Sequence, residues 1–148
     1  MRYRKLGRTG LAVSEICLGT MTFGGDGIWK AIGALEQDAA NKLVKGAFDK
    51  GVTFIDTADV YSNSLSEQAT GEAIKGLPRD SVVLSTKSLL TSAAGPKSAA
   101  DMVASLDASL RKLDTDCVDI FHLHGLAPQA YERAVAEIVP ALLREKEK

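Results

Sequence analysis

Four times along the chain a short apolar run is followed by a longer stretch whose apolar residues recur at helical spacing, and no other feature restricts the fold as much. The runs cover residues 16–21, 53–58, 82–87 and 117–124, each of strand length. A first helix is predicted over residues 36–50, where Ala40, Leu43, Val44, Ala47 and Phe48 keep the i, i+3, i+4 rhythm and Gly51 supplies the stop. A second runs from an N-cap at Ser66 to Gly76. A third is capped by Ser98 and carries Met102, Val103, Leu106, Leu110 and Leu113 as its apolar positions. The last covers residues 131–148, with Val135, Ile138, Val139, Leu142 and Leu143 on one side; Pro140 inside it predicts a kink or a break. Ahead of these units, residues 2–6 and 11–16 flank a turn bounded by Gly7 and Gly10 and read as a hairpin. The glycine-containing stretch 23–33, which holds Trp29, reads as a loop.

Strands alternating with helices predict an α/β fold with a parallel sheet and right-handed crossovers. Two architectures fit: an open doubly wound sheet, or part of a (β/α)8 barrel. A complete barrel takes about 250 residues, so 148 residues hold at most part of one. No linker, repeat or low-complexity tract divides residues 1–148, and one domain is expected. A net charge of −1 gives no basic face for nucleic acid and no attraction to an anionic membrane. No apolar stretch approaches the roughly 20 residues that span a bilayer, and the N-terminus lacks the apolar core of a secretory signal. Cys17 and Cys117 have no metal-binding spacing and lie in apolar runs, which predicts buried free thiols in a reducing cytoplasm and no metal site.

Four polar residues fall at or just after predicted strand ends: Asp56, Tyr61, Lys87 and His124. Both architectures place ligands at the carboxyl ends of their strands. Singly, each has an ordinary use. Asp56 can cap a turn, Tyr61 can cover the sheet rim, Lys87 can sit at the surface, and His124 can be a hydrogen-bonded core histidine. His122 alternates with His124, so both are expected on one face of their strand. Jointly the four make a chemical unit. A cation beside a phenol favours the phenolate, and a carboxylate beside the lysine keeps it charged and in place. The phenol then serves as a general acid near neutral pH, while an imidazole N–H orients a carbonyl oxygen. Such a set suits protonation of an oxygen that becomes negative as hydride arrives at its carbon, with the hydride coming from a cofactor.

The stretch Phe54-Ile55-Asp56-Thr57-Ala58-Asp59-Val60-Tyr61, followed by Ser66-Glu67 and Gly71-Glu72-Ala73, resembles the signature of the aldo-keto reductase family. Arg4-Lys5-Leu6-Gly7, Thr9-Gly10-Leu11, Val13-Ser14 and Leu18-Gly19-Thr20-Met21 resemble its N-terminal hairpin and first strand. Val83-Leu84-Ser85-Thr86-Lys87 and Asp119-Ile120-Phe121-His122-Leu123-His124 resemble the strands bearing its lysine and histidine. The resemblance implies a partial (β/α)8 TIM barrel, the N-terminal half of the family's domain, with a hairpin and about four β/α units. It implies reduction of aldehydes or ketones with NADPH, or with NADH in its place. Tyr61 would be the proton donor, with Lys87 and Asp56 tuning it and His124 orienting the carbonyl. Gly19, Thr20 and Met21 would lie under the nicotinamide end of the cofactor, Asp56 would approach its ribose, and Trp29 would form a substrate wall. The adenine end would be held by units of the fold's second half. Open sheet edges predict self-association or low stability of the chain. A non-catalytic nucleotide-sensing or interaction module, or an inert barrel fragment, are the competing functions.

Overall fold

The computed structural model describes residues 1–25 and 27–147. The chain opens with an antiparallel hairpin, β1 (Tyr3–Lys5) against β2 (Ala12–Ser14). Four strands then form one parallel sheet: β3 (Cys17–Gly19), β4 (Phe54–Asp56), β5 (Val83–Leu89) and a last strand, Ile120–His124. Between them run α1 (Gln37–Asp49), α2 (Leu65–Ile74) and α3 (Ala99–Leu113). A two-residue-per-strand hairpin, β6 (Thr91–Ser92) and β7 (Gly95–Pro96), fills the loop after β5, so the last parallel strand is β8. The sheet order β3-β4-β5-β8 follows the chain without reversal. That sequential order separates the two architectures left open by the sequence, since a doubly wound sheet reverses at a switch point.

Register settles which side chains share a face. Gly19 pairs with Asp56, Asp56 with Ser85, Ser85 with Ile120, Lys87 with His122 and Leu89 with His124. Because side chains alternate along a strand, these residues line one face, together with Cys17, Phe54 and Val83. The opposite face carries Leu18, Ile55, Leu84, Phe121 and Leu123. Helices cover that second face only. Ile55 and Leu84 are buried with Phe23, Ala40, Val44, Ala69, Ala73, Ile74, Val82 and Leu113, and Leu18 packs against them. Phe121 and Leu123 pack on a second cluster of Leu90, Met102, Ala134 and Ile138. The first face stays open: Cys17, Gly19 and His122 are exposed on it. One covered outer face and one concave inner face make this a partial (β/α)8 barrel.

Local chemistry explains most boundaries. Ser98 accepts from the Asp101 N–H while Asp101 accepts from the Ser98 N–H, a reciprocal cap that starts α3. Gly51, with φ at +85°, closes α1 as expected. Gly71 lets α2 and α3 approach so closely that a Cβ there would run into the Leu113 backbone carbonyl. The hairpin is tied to the sheet by Ser14, whose hydroxyl oxygen accepts from the N–H groups of Thr53 and Phe54 at 3.1 and 3.2 Å.

Several sequence expectations need correction. Ser66 is not the cap of α2; Ser64 holds that position, and Ser66 lies inside the helix with its hydroxyl donating to the Thr20 carbonyl at 2.6 Å. Neither cysteine is buried. Cys17 faces the open inner side of the sheet, and Cys117 lies in the loop before β8, which starts only at Ile120. Apolar neighbours in sequence suggested burial, but strand alternation turns Cys17 away from the helices. The stretch 23–33 is not wholly irregular: Gly27–Ala31 forms a 3-10 turn that carries Trp29. The final helix is three pieces, α4 (Tyr131–Arg133), a π-helical turn (Ala134–Ile138) and α5 (Val139–Lys146). Pro140 sits in the first turn of α5, where its missing N–H costs least, and the wider π turn precedes it.

Glu67, on α2, is fully buried against β5. Its Oε1 accepts from the Thr86 hydroxyl at 2.7 Å, and the Lys112 ammonium stands 4.0 Å from Oε2. Burial pushes its carboxyl above the ordinary glutamate range, against the opposing pull of Thr86 and Lys112. A raised folded-state pKa stabilises the protonated fold, so this contribution is full below the unfolded pKa and is lost as pH rises through the folded one. Glu67→Gln should therefore gain stability over the parent as pH rises from mildly acidic to mildly basic. Urea unfolding midpoints across that range check it; a parent that gains on the variant with rising pH would contradict it.

Candidate active site

The inner face concentrates its polar groups where β4, β5 and β8 end. Asp56 is the last residue of β4 and Lys87 lies one strand over, two residues further along β5. This diagonal brings the Lys87 Nζ to 2.6 Å from Asp56 Oδ2, and the same ammonium donates to the Thr57 carbonyl at 2.7 Å. The other carboxylate oxygen, Oδ1, accepts from the Ser85 hydroxyl at 2.9 Å. The two charged side chains are 16% and 26% exposed, so desolvation is substantial and these extra partners offset it.

Tyr61 stands over this pair. Lys87 Nζ lies 4.9 Å from the centroid of its ring, within cation–π range. His124, the last residue of β8, meets the same ring edge-on, with centroids 5.9 Å apart and planes at 89°. Trp29 contacts it from the other loop, at 6.2 Å and 62°. The structure thus brings Asp56, Tyr61, Lys87, His124 and Trp29 into one group. His124 Nδ1 is buried without a hydrogen-bond partner, so this imidazole retains unused hydrogen-bonding capacity.

The loop holding Tyr61 is conformationally costly. Ser62, Asn63 and Ser64 all have positive φ (48°, 53° and 72°) and none is glycine. Left-handed backbone costs such residues roughly 1–2 kcal/mol each, and strain of this kind persists where surrounding bonds over-determine it. Those bonds are present: the Asp59 N–H donates to the Lys87 carbonyl at 3.0 Å, and the Ser64 hydroxyl donates to the Asp59 carbonyl at 2.6 Å.

The remaining sequence candidates are placed differently. Gly19 and Met21 are exposed on the open side, and a Cβ added at Gly19 would meet nothing within 4 Å. Thr20 is fully buried. Its N–H donates to the Asp56 carbonyl, and its hydroxyl lies within hydrogen-bond distance of Ser66 and Thr70. Thr20 therefore braces the β3 and β4 ends against α2 from behind. His122, beside Lys87 in register, sits below the ordinary histidine range because of partial burial, with Lys87 and His124 adding to the effect and Asp56 opposing it. Cys17, on the same face, is exposed as a residue, but partial desolvation of its thiol and then the Asp56 charge push the thiol up to about 11, which makes it a poor nucleophile. Among the described residues no cluster of His, Cys, Asp or Glu is arranged to hold a metal ion, and no helix is long and apolar enough to cross a membrane. Ser85 and Thr57 complete the group through their bonds to Asp56 and Lys87, and Ser85 lies two residues from Lys87 on the same face, a relation that strand periodicity alone reveals.

The family model for the aldo/keto reductase family matches residues 15–147. L-galactose dehydrogenase of Arabidopsis thaliana is 34% identical over 146 residues, an alignment that covers 97% of this chain and 44% of the relative. The holo form of aldo-keto reductase AKR11C1 from Bacillus halodurans superposes with a TM-score of 0.80 at 30% identity, covering 99% of this chain and 47% of that one. An aldo-keto reductase from Klebsiella pneumoniae, solved in complex with NADPH, gives a TM-score of 0.65 at 31% identity, over 91% of this chain and 42% of its own. The chain thus spans about half the length of the relatives it matches. With the fold, the strand order and the match over residues 15–147 in agreement, this chain belongs to the aldo-keto reductase family.

Proposed function

We propose that residues 1–148 form the N-terminal half of an aldo-keto reductase barrel whose site reduces an aldehyde or ketone to an alcohol with NADPH. The observation that carries this reading is the Lys87 ammonium, held at 2.6 Å by Asp56 and lying 4.9 Å from the Tyr61 ring centroid, with His124 against the same ring. The NADPH bound in the Klebsiella relative supports the choice of cofactor. The residues present fit its nicotinamide end: Gly19 leaves open space above the β3 end, Met21 is exposed beside it, and Asp56 presents its carboxylate on the same face. When bound, the cofactor supplies hydride to the carbonyl carbon.

Every other part of the chemistry falls to the chain. Tyr61 donates its phenolic proton to the carbonyl oxygen as negative charge develops there. Lys87 stabilises the phenolate left behind, and Asp56 keeps the ammonium charged and aimed. His124 donates an imidazole N–H to the same oxygen and fixes its direction. Trp29, already against Tyr61, walls the substrate side. Two unpaired cysteines accord with a cytoplasmic location.

Tyr61→Phe keeps the ring contacts and removes only the proton donor. Carbonyl-dependent NADPH oxidation should fall by about 10²–10⁴-fold in it, the usual worth of a positioned general acid, with circular dichroism unchanged. Equal turnover in parent and variant, or none in the parent, would overturn the reading.

Among the described residues β3 and β8 each have a single neighbour in the sheet, and the inner face lies uncovered. Unpaired edges invite pairing, so the isolated chain should associate, through these edges, with another copy or a complementary half barrel. Sedimentation velocity should show species larger than a monomer; a stable, monodisperse monomer would contradict it.

A further inference from the structure

A second lysine–carboxylate arrangement lies on the other side of β5, one residue on from Lys87 and two residues before Tyr61. Ser88 is fully buried, and its hydroxyl donates to Asp59 Oδ2 at 2.6 Å. The Lys97 ammonium donates to the Ser88 oxygen at 2.8 Å and to the Ser105 hydroxyl at 2.9 Å, and stands 3.8 Å from Asp59 Oδ2. The Asp59 and Lys97 side chains are only 17% and 15% exposed. Lys97 is itself held at both backbone ends: its N–H donates to Leu90, closing the β6–β7 hairpin, and its carbonyl accepts from Arg133 at 2.6 Å.

Asp59 is the point where this relay meets the Tyr61 loop. Its N–H donates to the Lys87 carbonyl and its own carbonyl accepts from Ser64, so one residue ties the loop's start to β5 and its end to itself. Between those ties lies the left-handed run of Ser62, Asn63 and Ser64, which needs external restraint to persist. Asp59 Oδ1 is already buried without a hydrogen-bond partner, so the carboxylate depends on Lys97 and Ser88 for compensation. A buried charge left without its counter-ion is strongly destabilised, and here the backbone that would have to yield to relieve it carries Tyr61.

We propose that Lys97, acting through Ser88 and Asp59, is a positioning residue for Tyr61. The hairpin after β5 thereby becomes part of the catalytic scaffold, linked to the proton donor by an ion-pair relay on the helix-covered face. The assignment rests on Tyr61 as the proton donor, but its placement is measurable without cofactor or turnover.

The test is NMR of the chain with ring-labelled tyrosine, the Tyr61 signals being identified by their loss in Tyr61→Phe. Packed against Trp29 and His124, the Tyr61 ring should resonate away from the free-tyrosine position. Lys97→Met should shift these signals toward that position while the Ile55 and Leu84 methyl signals of the core stay in place, and Lys97→Arg should restore them. Ser88→Ala, which removes a single hydroxyl, should move them in the same direction and serves where Lys97→Met does not fold. Unshifted Tyr61 signals in either folded variant, or no restoration by arginine, would overturn the proposal. Failure to oxidise NADPH would leave these spectra untouched and would count only against the reductase reading.

Discussion

The contact between Lys87 and Asp56 is the interaction around which the rest of this chain is arranged. Two charges sit together on the open face of a parallel sheet, Asp56 at the end of β4 and Lys87 two residues before the end of β5, each with a second partner on the same two strands or just beyond. Ordinary parallel strands carry apolar side chains on both faces. Here Gly19, Asp56, Ser85, Lys87, His122 and His124 take one face, and the apolar residues that hold the fold are confined to the other. The sheet therefore divides by face, with helices packed behind and the polar group in front.

Holding that front in place requires polar support from behind. Thr20, Thr57, Ser66 and Thr70 form a buried hydroxyl cluster that joins the β3 and β4 ends to α2. Glu67 and Thr86 do the same between α2 and β5, and Asp59, Ser88 and Lys97 between the Tyr61 loop and the hairpin beyond β5. Each cluster lies one or two residues from a member of the front group. Buried polar networks specify geometry where apolar packing alone tolerates slippage, and the left-handed Ser62–Ser64 run is tied down by one of them through Asp59.

Much of this was legible in the sequence. Helical spacing gave α1 and α3 nearly to their ends and Ser98 marked a cap that forms as expected. Asp56 and His124 end their strands and Tyr61 lies in the loop after β4, as expected, whereas β5 runs two residues past Lys87. Period-two alternation places His122 and His124 on one face, as the register has it. What stayed hidden depended on partners distant in sequence. Ser66 looks like a helix cap until Thr20, 46 residues away, is found beneath it. Cys17 looks buried because its sequence neighbours are apolar, whereas the face it shares with Gly19 and Asp56 is open. Asp59 and Lys97 carry no local signal, since their meeting depends on Ser88 lying between them.

The claim at the centre of this account is that the inner face of these four strands forms a cofactor-competent site. Titration of NADPH into the chain, followed by nicotinamide fluorescence, addresses it most directly. A cofactor-competent face should give a saturable change in intensity and position that is lost in Asp56→Asn combined with Tyr61→Phe. No change up to millimolar cofactor, or the same change in the double variant, would contradict it.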